Sequence, residues 1–193
     1  MRYFRKIQGE RIYLSPMNKD DAEIYTKWLN DPEVSVSLGN FAQVISLNSE
    51  QKALEEMTEK GQNFAIVSND DVLLGNISFF NIKDVHRRAE VGLFIGEREN
   101  RGKGYGAEAL RLILDYGFKT LNLHNVTLTV HSDNEAGIAC YRKVGFKEIG
   151  RQRESVFKDG RYLDLVYMDV LEDSFQTVSN QSSQSGSGRT SSK

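Results

Sequence analysis

Between Arg101 and Gly106 the chain reads R-G-K-G-Y-G, two cations interleaved with glycines at alternate positions. The apolar run Val91 to Ile95 precedes this stretch, and a helical pattern follows it. Amides in the first turn of a helix have no helical partner, and the aligned peptide dipoles add partial positive charge. A strand feeding a glycine-rich turn into a helix start is therefore a seat for an anion. Glycine has no Cβ, so a phosphate can approach the main chain and φ can turn positive. Arg101 and Lys103 put fixed charge beside Gly102, Gly104, Tyr105 and Gly106, so the expected guest carries phosphates. Two familiar phosphate loops do not fit. Walker A needs G-x-x-x-x-G-K-[ST], and the dinucleotide fingerprint needs G-x-G-x-x-G with a later ribose-binding acid. A tight turn without a ligand is the plain alternative, and the flanking stretches decide between them.

Asn134 and Tyr141 are the next pair with usable spacing. They lie seven residues apart, two helical turns, and so point to the same side of one helix. Cys140, the single cysteine, has no His or Asp at a readable spacing to activate it and reads as a small buried side chain. His86, His124 and His131 are scattered and form no metal-ligand pattern. No metal is expected. The Tyr3-Phe4 and Phe79-Phe80 pairs read as packing rather than as a stacking platform.

The elements that must hold these residues follow from period and punctuation. Residues 11–15 alternate as a short strand that Pro16 ends, and Asn18 caps a helix with Asp21 in its first turn. Ala22, Tyr25, Trp28 and Leu29 form its inner face, with Trp28 read as core, and Asn30-Asp31-Pro32 stops it. Residues 33–46 show no period and are expected to be loop. A second helix from Asn48 or Ser49 carries Leu54 and Met57 inward. Strands are expected over 64–67, 72–82 and 89–95, with Ser68-Asn69-Asp70-Asp71 as the first turn. The helix after the glycine loop presents Ala107, Leu110, Ile113, Leu114 and Phe118 on one face and ends between Gly117 and Asn122. Val126, Leu128 and Val130 mark a strand, then a helix runs to Val144 with Gly145 as its left-handed cap. Two strands, 146–156 and 162–171, close the pattern across Asp159-Gly160. The order is β-α-α-β-β-β-α-β-α-β-β, one mixed α/β domain over residues 1–175 with helices on both faces of a sheet. Residues 176–193 are nearly all Ser, Gln, Gly, Thr and Asn, too polar to offset ordering entropy, and read as a disordered tail.

Composition narrows the function classes. A formal charge of −2 gives no basis for nucleic-acid or anionic-membrane binding. No apolar run reaches the ~18 residues of a membrane span, and the N-terminus lacks a signal-peptide core. One cysteine excludes an internal disulfide and a Cys-based zinc cluster. The default is a cytoplasmic enzyme or binding protein, with association into a homo-oligomer left open.

Arg101-x-x-Gly104-x-Gly106, after a strand and before a helix, resembles the acetyl-CoA pyrophosphate loop of GNAT-type N-acetyltransferases. A second signature follows at the family's distance. Asn134-x-x-Gly137-Ile138-x-x-Tyr141-x-x-x-Gly145-Phe146 resembles the family's N-x-x-A-x-x-x-Y-x-x-x-G-F helix, with Gly137 in the alanine place. The resemblance covers roughly residues 10–172 and implies acetyl-CoA as co-substrate and a central sheet that splays to admit pantetheine. It implies that Asn134 holds the pantetheine arm and that Tyr141 protonates the departing CoA thiolate. Main-chain N–H groups near Phe94 and Ile95 would stabilise the oxyanion. Glu90, on the strand where some members place a base, is the one base candidate. It could equally pair with Arg87 or Arg88, and deprotonation through ordered water needs no base at all.

Within the family, Val85-His-Arg-Arg-Ala-Glu90, Asp115-Tyr-Gly-Phe118 and Leu121-Asn-Leu123 resemble the bacterial spermidine and diamine N-acetyltransferases. Trp28-Leu-Asn-Asp31 resembles equally the Rim-type enzymes that modify protein N-termini. The implied activity is transfer of acetyl from acetyl-CoA directly to a primary amine, a small molecule such as spermidine or a peptide. A catalytically silent acyl-CoA-binding module is the alternative of another class.

Overall fold

The computed structural model describes residues 2–39, 42–59 and 61–175; the expected tail, 176–193, lies outside them. The strands are β1 (Ile7–Gln8), β2 (Ile12–Pro16), β3 (Asn63–Ser68), β4 (Leu73–Lys83), β5 (Arg88–Ile95), β6 (Asn125–His131), β7 (Lys147–Lys158) and β8 (Arg161–Leu171). The helices are α1 (Ala22–Leu29), α2 (Pro32–Ser37), α3 (Leu47–Glu59), α4 (Tyr105–Lys119) and α5 (Glu135–Val144). The strands make one sheet in the order β1-β2-β3-β4-β5-β6-β8-β7. Every pairing is antiparallel except β5 with β6, which needs the α4 crossover.

Two cores sandwich the sheet. On one face α4 and α5 press Leu110, Ile113, Leu114 and Ile138 against Ile12, Ile77, Val91, Val126 and Val166. On the other, α1 to α3 bury Tyr25, Trp28, Val34 and Leu54 against Tyr13, Ala65 and Val67. Covered from both sides, β2 is buried at every residue from Ile12 to Ser15 rather than only at alternate ones. The mixed α/β architecture with helices on both faces is as expected from the sequence.

Three local readings change. Residues 32–37, expected partly as loop, form α2. Asp31 Oδ1 accepts the Glu33 N–H at 2.9 Å as N-cap, and Pro32 sits in the first turn. Proline there loses nothing, because that amide has no helical partner. Asn18 caps only a single 3₁₀ turn, Lys19–Asp21. Asp21 is buried there, taking the Arg2 guanidinium and the Tyr3 hydroxyl instead of serving a helix dipole. β1 carries no pattern in the sequence; its two residues pair with Tyr13 and Leu14.

The sheet splits at its centre. β5 and β6 pair only at Arg88–Asn125, Ala89–Val126 and Glu90–Thr127, although β5 runs on to Ile95 and β6 to His131. Beside the split, β4 carries Leu74 as an extra residue between the pairs Ile66–Gly75 and Val67–Leu73. At Gly75, just past this bulge, a Cβ would stand 2.0 Å from the Phe94 carbonyl oxygen, so only glycine allows the approach.

Four phenols are held neutral by the fold. Burial is the first cause for each: Tyr13 and Tyr141 are pushed up to about 12, and Tyr3 and Tyr25 upward as well. Unfolded phenols titrate near ~10. Above that pH the unfolded chain loses protons that the folded chain keeps, so stability falls as pH rises. Denaturant midpoints should hold from pH 8 to about 10 and decline towards pH 11.5. A flat profile across that range would contradict the burial of these hydroxyls.

Candidate active site

α4 begins where the glycine loop bends. Gly102 and Gly104 have φ of 72° and 87°, and Gly104 is the N-cap. A side chain is strained in that left-handed region, which glycine enters freely. The Glu108 N–H is taken by the Gly104 carbonyl at 3.0 Å, so the amides of Tyr105, Gly106 and Ala107 precede any helical partner. They sit at a cavity of ≈ 500 Å³. Its walls are Leu93–Ile95 of β5, Asn100–Gly102, Gly104–Ala107, and Asn134, Gly137, Cys140, Tyr141 and Lys143 along α5. Glu33 and Val34 of α2 close it on the far side. The cavity thus reaches from the α4–α5 layer to the α1–α3 layer, beside the split in the sheet.

Most of the residues picked out from sequence meet here: Phe94, Ile95, Arg101, Gly102, Gly104, Tyr105, Gly106, Asn134 and Tyr141 all line the cavity. Arg101 does so in a different role from the one expected. Its Nε and Nη2 donate to the Ile95 and Gly96 carbonyls at 3.1 and 2.6 Å, and Nη1 to Glu33 Oε2 at 2.8 Å. The guanidinium clamps the loop to the end of β5 and to α2. Lys103 is exposed and outside the lining; its carbonyl accepts from Arg11 Nη1 at 2.8 Å. Arg11 also bonds Glu108 through Nε at 3.0 Å, fixing the loop from the β2 side. Lys143 of α5 joins Arg101 as a second cation at the cavity wall.

Glu90 lies outside the lining as well. Its Oε1 accepts from Asn81 Nδ2 at 3.0 Å, and it engages neither of the neighbouring arginines considered as partners. Arg87 reaches Asn122 and Glu172.

Asn134 caps α5, its Oδ1 accepting the Gly137 N–H at 2.9 Å. A Cβ at position 137 would begin 2.8 Å from Asn134 Nδ2, so glycine in the alanine place leaves room for the capping side chain. Tyr141, two turns on, packs edge-on against Phe146 at 5.9 Å. Burial, and second the adjacent Cys140, push its hydroxyl up to about 12, which keeps a proton available at neutral pH. Burial also raises the Cys140 thiol, so it stays protonated and is a poor nucleophile.

Sequence reading missed α2, whose Glu33 ties down both Arg101 and Arg98, the latter at 3.2 Å. The available signal was Asp31-Pro32, which starts one helix as well as stopping another. On the same side, Trp28 is core as read, though its Nε1 donates to Glu97 Oε1 at 2.9 Å. Lys27 reaches the same oxygen at 2.6 Å, and these bonds hold the Glu97 carboxyl below its usual range. Among the described residues no helix is long and apolar enough to cross a membrane.

A split α/β sheet with a glycine-started helix beside the split is the fold of acyltransferases that draw on acetyl-CoA, and this chain is such an enzyme. It belongs to the GNAT family: residues 11–147 match the acetyltransferase (GNAT) domain. It is 29% identical over 169 residues to the spermidine N(1)-acetyltransferase of Escherichia coli K12, covering 87% of this chain and 84% of that protein. The putative ribosomal N-acetyltransferase YdaF of Bacillus subtilis is 36% identical over 103 residues, 53% of this chain and 56% of that one. The crystal structure of spermidine N-acetyltransferase from Vibrio cholerae, in complex with CoA and spermine, shares the fold. It superposes with a TM-score of 0.79 at 24% identity, covering 87% of this chain and 99% of that one.

Proposed function

We propose that this N-acetyltransferase acetylates a small polycationic amine, a polyamine or diamine of the spermidine kind. The observation that carries this reading is the charge of the layer on the acceptor side. Residues 18–60, which supply α1 to α3, hold nine Asp and Glu against four Lys, 4 − 9 = −5, in a chain whose total is −2. A field of that sign concentrates a multiply charged cation more than a peptide with one N-terminal ammonium. The similarity to spermidine N(1)-acetyltransferase along most of the chain supports the same reading. The higher local identity to YdaF favours, as second reading, a Rim-type acceptor, the N-terminus of a protein.

In this reading the amides of residues 102–107 receive the pyrophosphate, and pantetheine lies in the split between β5 and β6 with Asn134 beside it. The thioester carbonyl is held by the main-chain N–H of Ile95, which points away from β4, whereas that of Phe94 faces Asn76 in the β4 ladder; one such donor is typically worth ~3 kcal/mol of barrier. The amine attacks from the α1–α3 side, and Tyr141 gives its proton to the leaving thiolate. Most of the acceleration comes from holding amine and thioester together.

A panel of spermidine, spermine, putrescine, short peptides with free N-termini and amino sugars, read by thiol release, tests the acceptor. Spermidine or spermine should show the highest kcat/KM, and that value should fall as salt rises. A peptide preferred tenfold or more would replace the polyamine reading with the Rim-type one.

A further inference from the structure

Sequence pattern alone puts Arg101 beside phosphate, yet in the fold its guanidinium is taken up by the protein. Nε donates to the Ile95 carbonyl at 3.1 Å, Nη2 to the Gly96 carbonyl at 2.6 Å and Nη1 to Glu33 Oε2 at 2.8 Å. All three nitrogens are engaged, two of them at consecutive carbonyls where β5 ends.

The main-chain direction at those carbonyls determines what the clamp does. In an antiparallel ladder, alternate residues turn N–H and C=O together toward one neighbour. The Gly96 N–H donates to the Leu74 carbonyl at 2.9 Å, and Phe94 faces Asn76, so Ile95 between them turns both groups away from β4. That edge faces the split, where β6 has stopped pairing after Glu90–Thr127. Arg101 Nε takes the Ile95 carbonyl there and leaves the Ile95 N–H on the cavity side. A strand end with one neighbour has an unpaired row of main-chain groups. Arg101 takes the place of the missing neighbour at that carbonyl. The peptide after Ile95 is thereby pinned twice, its carbonyl by Arg101 and its N–H by Leu74. Gly96 also lies against Trp28 of α1, where a Cβ would overlap the ring.

We infer that Arg101 is a positioning residue for acetyl transfer. It fixes the end of β5 so that the Ile95 N–H meets the thioester oxygen, and Glu33 of α2 fixes Arg101. The inference rests on the reading that the thioester carbonyl is held at Ile95; it does not depend on which amine is acetylated.

The N–H counts most once the amine has added and the carbonyl oxygen carries negative charge. A donor stabilises that oxygen fully only if it is aimed beforehand, with no peptide to turn during the reaction. A misplacement of about 1 Å in such a geometry costs up to about 10²-fold in rate. Glu33 holds the third guanidinium nitrogen from the acceptor-side layer, and its other oxygen takes Arg98 at 3.2 Å. Ion pairs as exposed as these add little to stability, so losing them should leave the chain folded. What they fix is direction. Lysine carries the same charge but cannot reproduce the planar fork that spans two carbonyls and a carboxylate.

Arg101→Lys is therefore the deciding variant, since it keeps the charge a phosphate ligand needs and removes the fork. Its kcat with the best amine of the panel should fall about 10–10²-fold, with the acetyl-CoA dissociation constant within about threefold of wild type. Acetyl-pantetheine, which has no phosphates, should show the same loss of kcat. With ¹³C-labelled acetyl-CoA bound, the thioester carbonyl stretch should lie below its solution value in the wild type. In the variant it should move back toward that value, a shift that a packing defect alone does not produce. Glu33→Gln should lower kcat less, about 3–10-fold, and carries the same test if the lysine variant does not fold. A folded lysine variant with kcat within about threefold of wild type overturns the inference. So does a loss confined to the acetyl-CoA dissociation constant and absent with acetyl-pantetheine, since Arg101 is then a phosphate ligand. An unshifted stretch in the wild type overturns the thioester placement and this inference with it. A stretch shifted equally in wild type and variant overturns this inference alone. Acceptor identity is read separately, from the panel ranking.

Discussion

Tyr141→Phe is expected to bind acetyl-CoA as the wild type does and to turn over about 10²–10⁴-fold more slowly. The ring stays, and with it the edge contact to Phe146, so the fold and the α5 wall of the cavity should be unchanged. Only the hydroxyl, the proposed proton donor, goes. CoA can leave as a thiolate unaided, since free thiols titrate near ~8.5, and this limits the loss. The hydroxyl's own pKa, pushed up to about 12 by burial, keeps it protonated through the working range. An alkaline fall in kcat below pH 10 therefore should not come from Tyr141. The effect belongs on the chemical step, read as kcat at saturating acetyl-CoA with the dissociation constant measured separately. A kcat within threefold of wild type, where chemistry limits turnover, removes Tyr141 from the mechanism.

The second large effect is expected at the loop. Gly104→Val puts a β-branched side chain at φ 87°, a conformation costing such residues ~1–3 kcal/mol. Its Cβ would also meet Arg11 Nη2 at 3.2 Å. The chain escapes the strain by rotating the turn, which swings the first amides of α4 away from the cavity. Hydrogen bonds to a charged partner are each worth ~1.5–3 kcal/mol, so the KM for acetyl-CoA should rise about 10–100-fold. kcat at saturation should move much less. Gly106→Ala is the milder companion: φ there is not positive, and the new Cβ meets only the Leu93 Cδ1 methyl at 3.2 Å. A folded Gly104→Val enzyme with unchanged KM would show that the amides do not carry cofactor binding.

What the sequence made legible was local chemistry. The turn at Gly102 and Gly104, the left-handed cap at Gly145, and the shared side of Asn134 and Tyr141 are each set within a few residues. All of them appear in the structure. What it hid depends on distant partners. Arg101 looked like a phosphate ligand because its acceptors, the Ile95 and Gly96 carbonyls, are main chain and carry no signature. β1 exists only because Leu14 is there to receive it; the Lys6 N–H donates to the Leu14 carbonyl at 3.0 Å. α2 is too short to show a period, and its proline read as a stop. The split itself was legible only through the family resemblance, not through period. Which residues face each other across β5 and β6 is a matter of register between strands with a whole helix between them.

With pantetheine in the split as proposed, that shortened β5–β6 ladder would couple the enzyme's stability to its cofactor. Beyond Glu90 and Thr127 neither strand has the other to bond, and the edges of β5 and β6 stand open where a continuous sheet would have closed them. A pantetheine arm carries amides of its own and, lying there, would supply part of the missing ladder. The unfolded chain offers no such slot, so whatever affinity the split has for acetyl-CoA is added to the free energy of unfolding. At a hundredfold excess over the dissociation constant that linkage is about 2.7 kcal/mol, a large share of a small domain's stability. An enzyme built this way is sturdiest when charged with its co-substrate and softest when acetyl-CoA runs low.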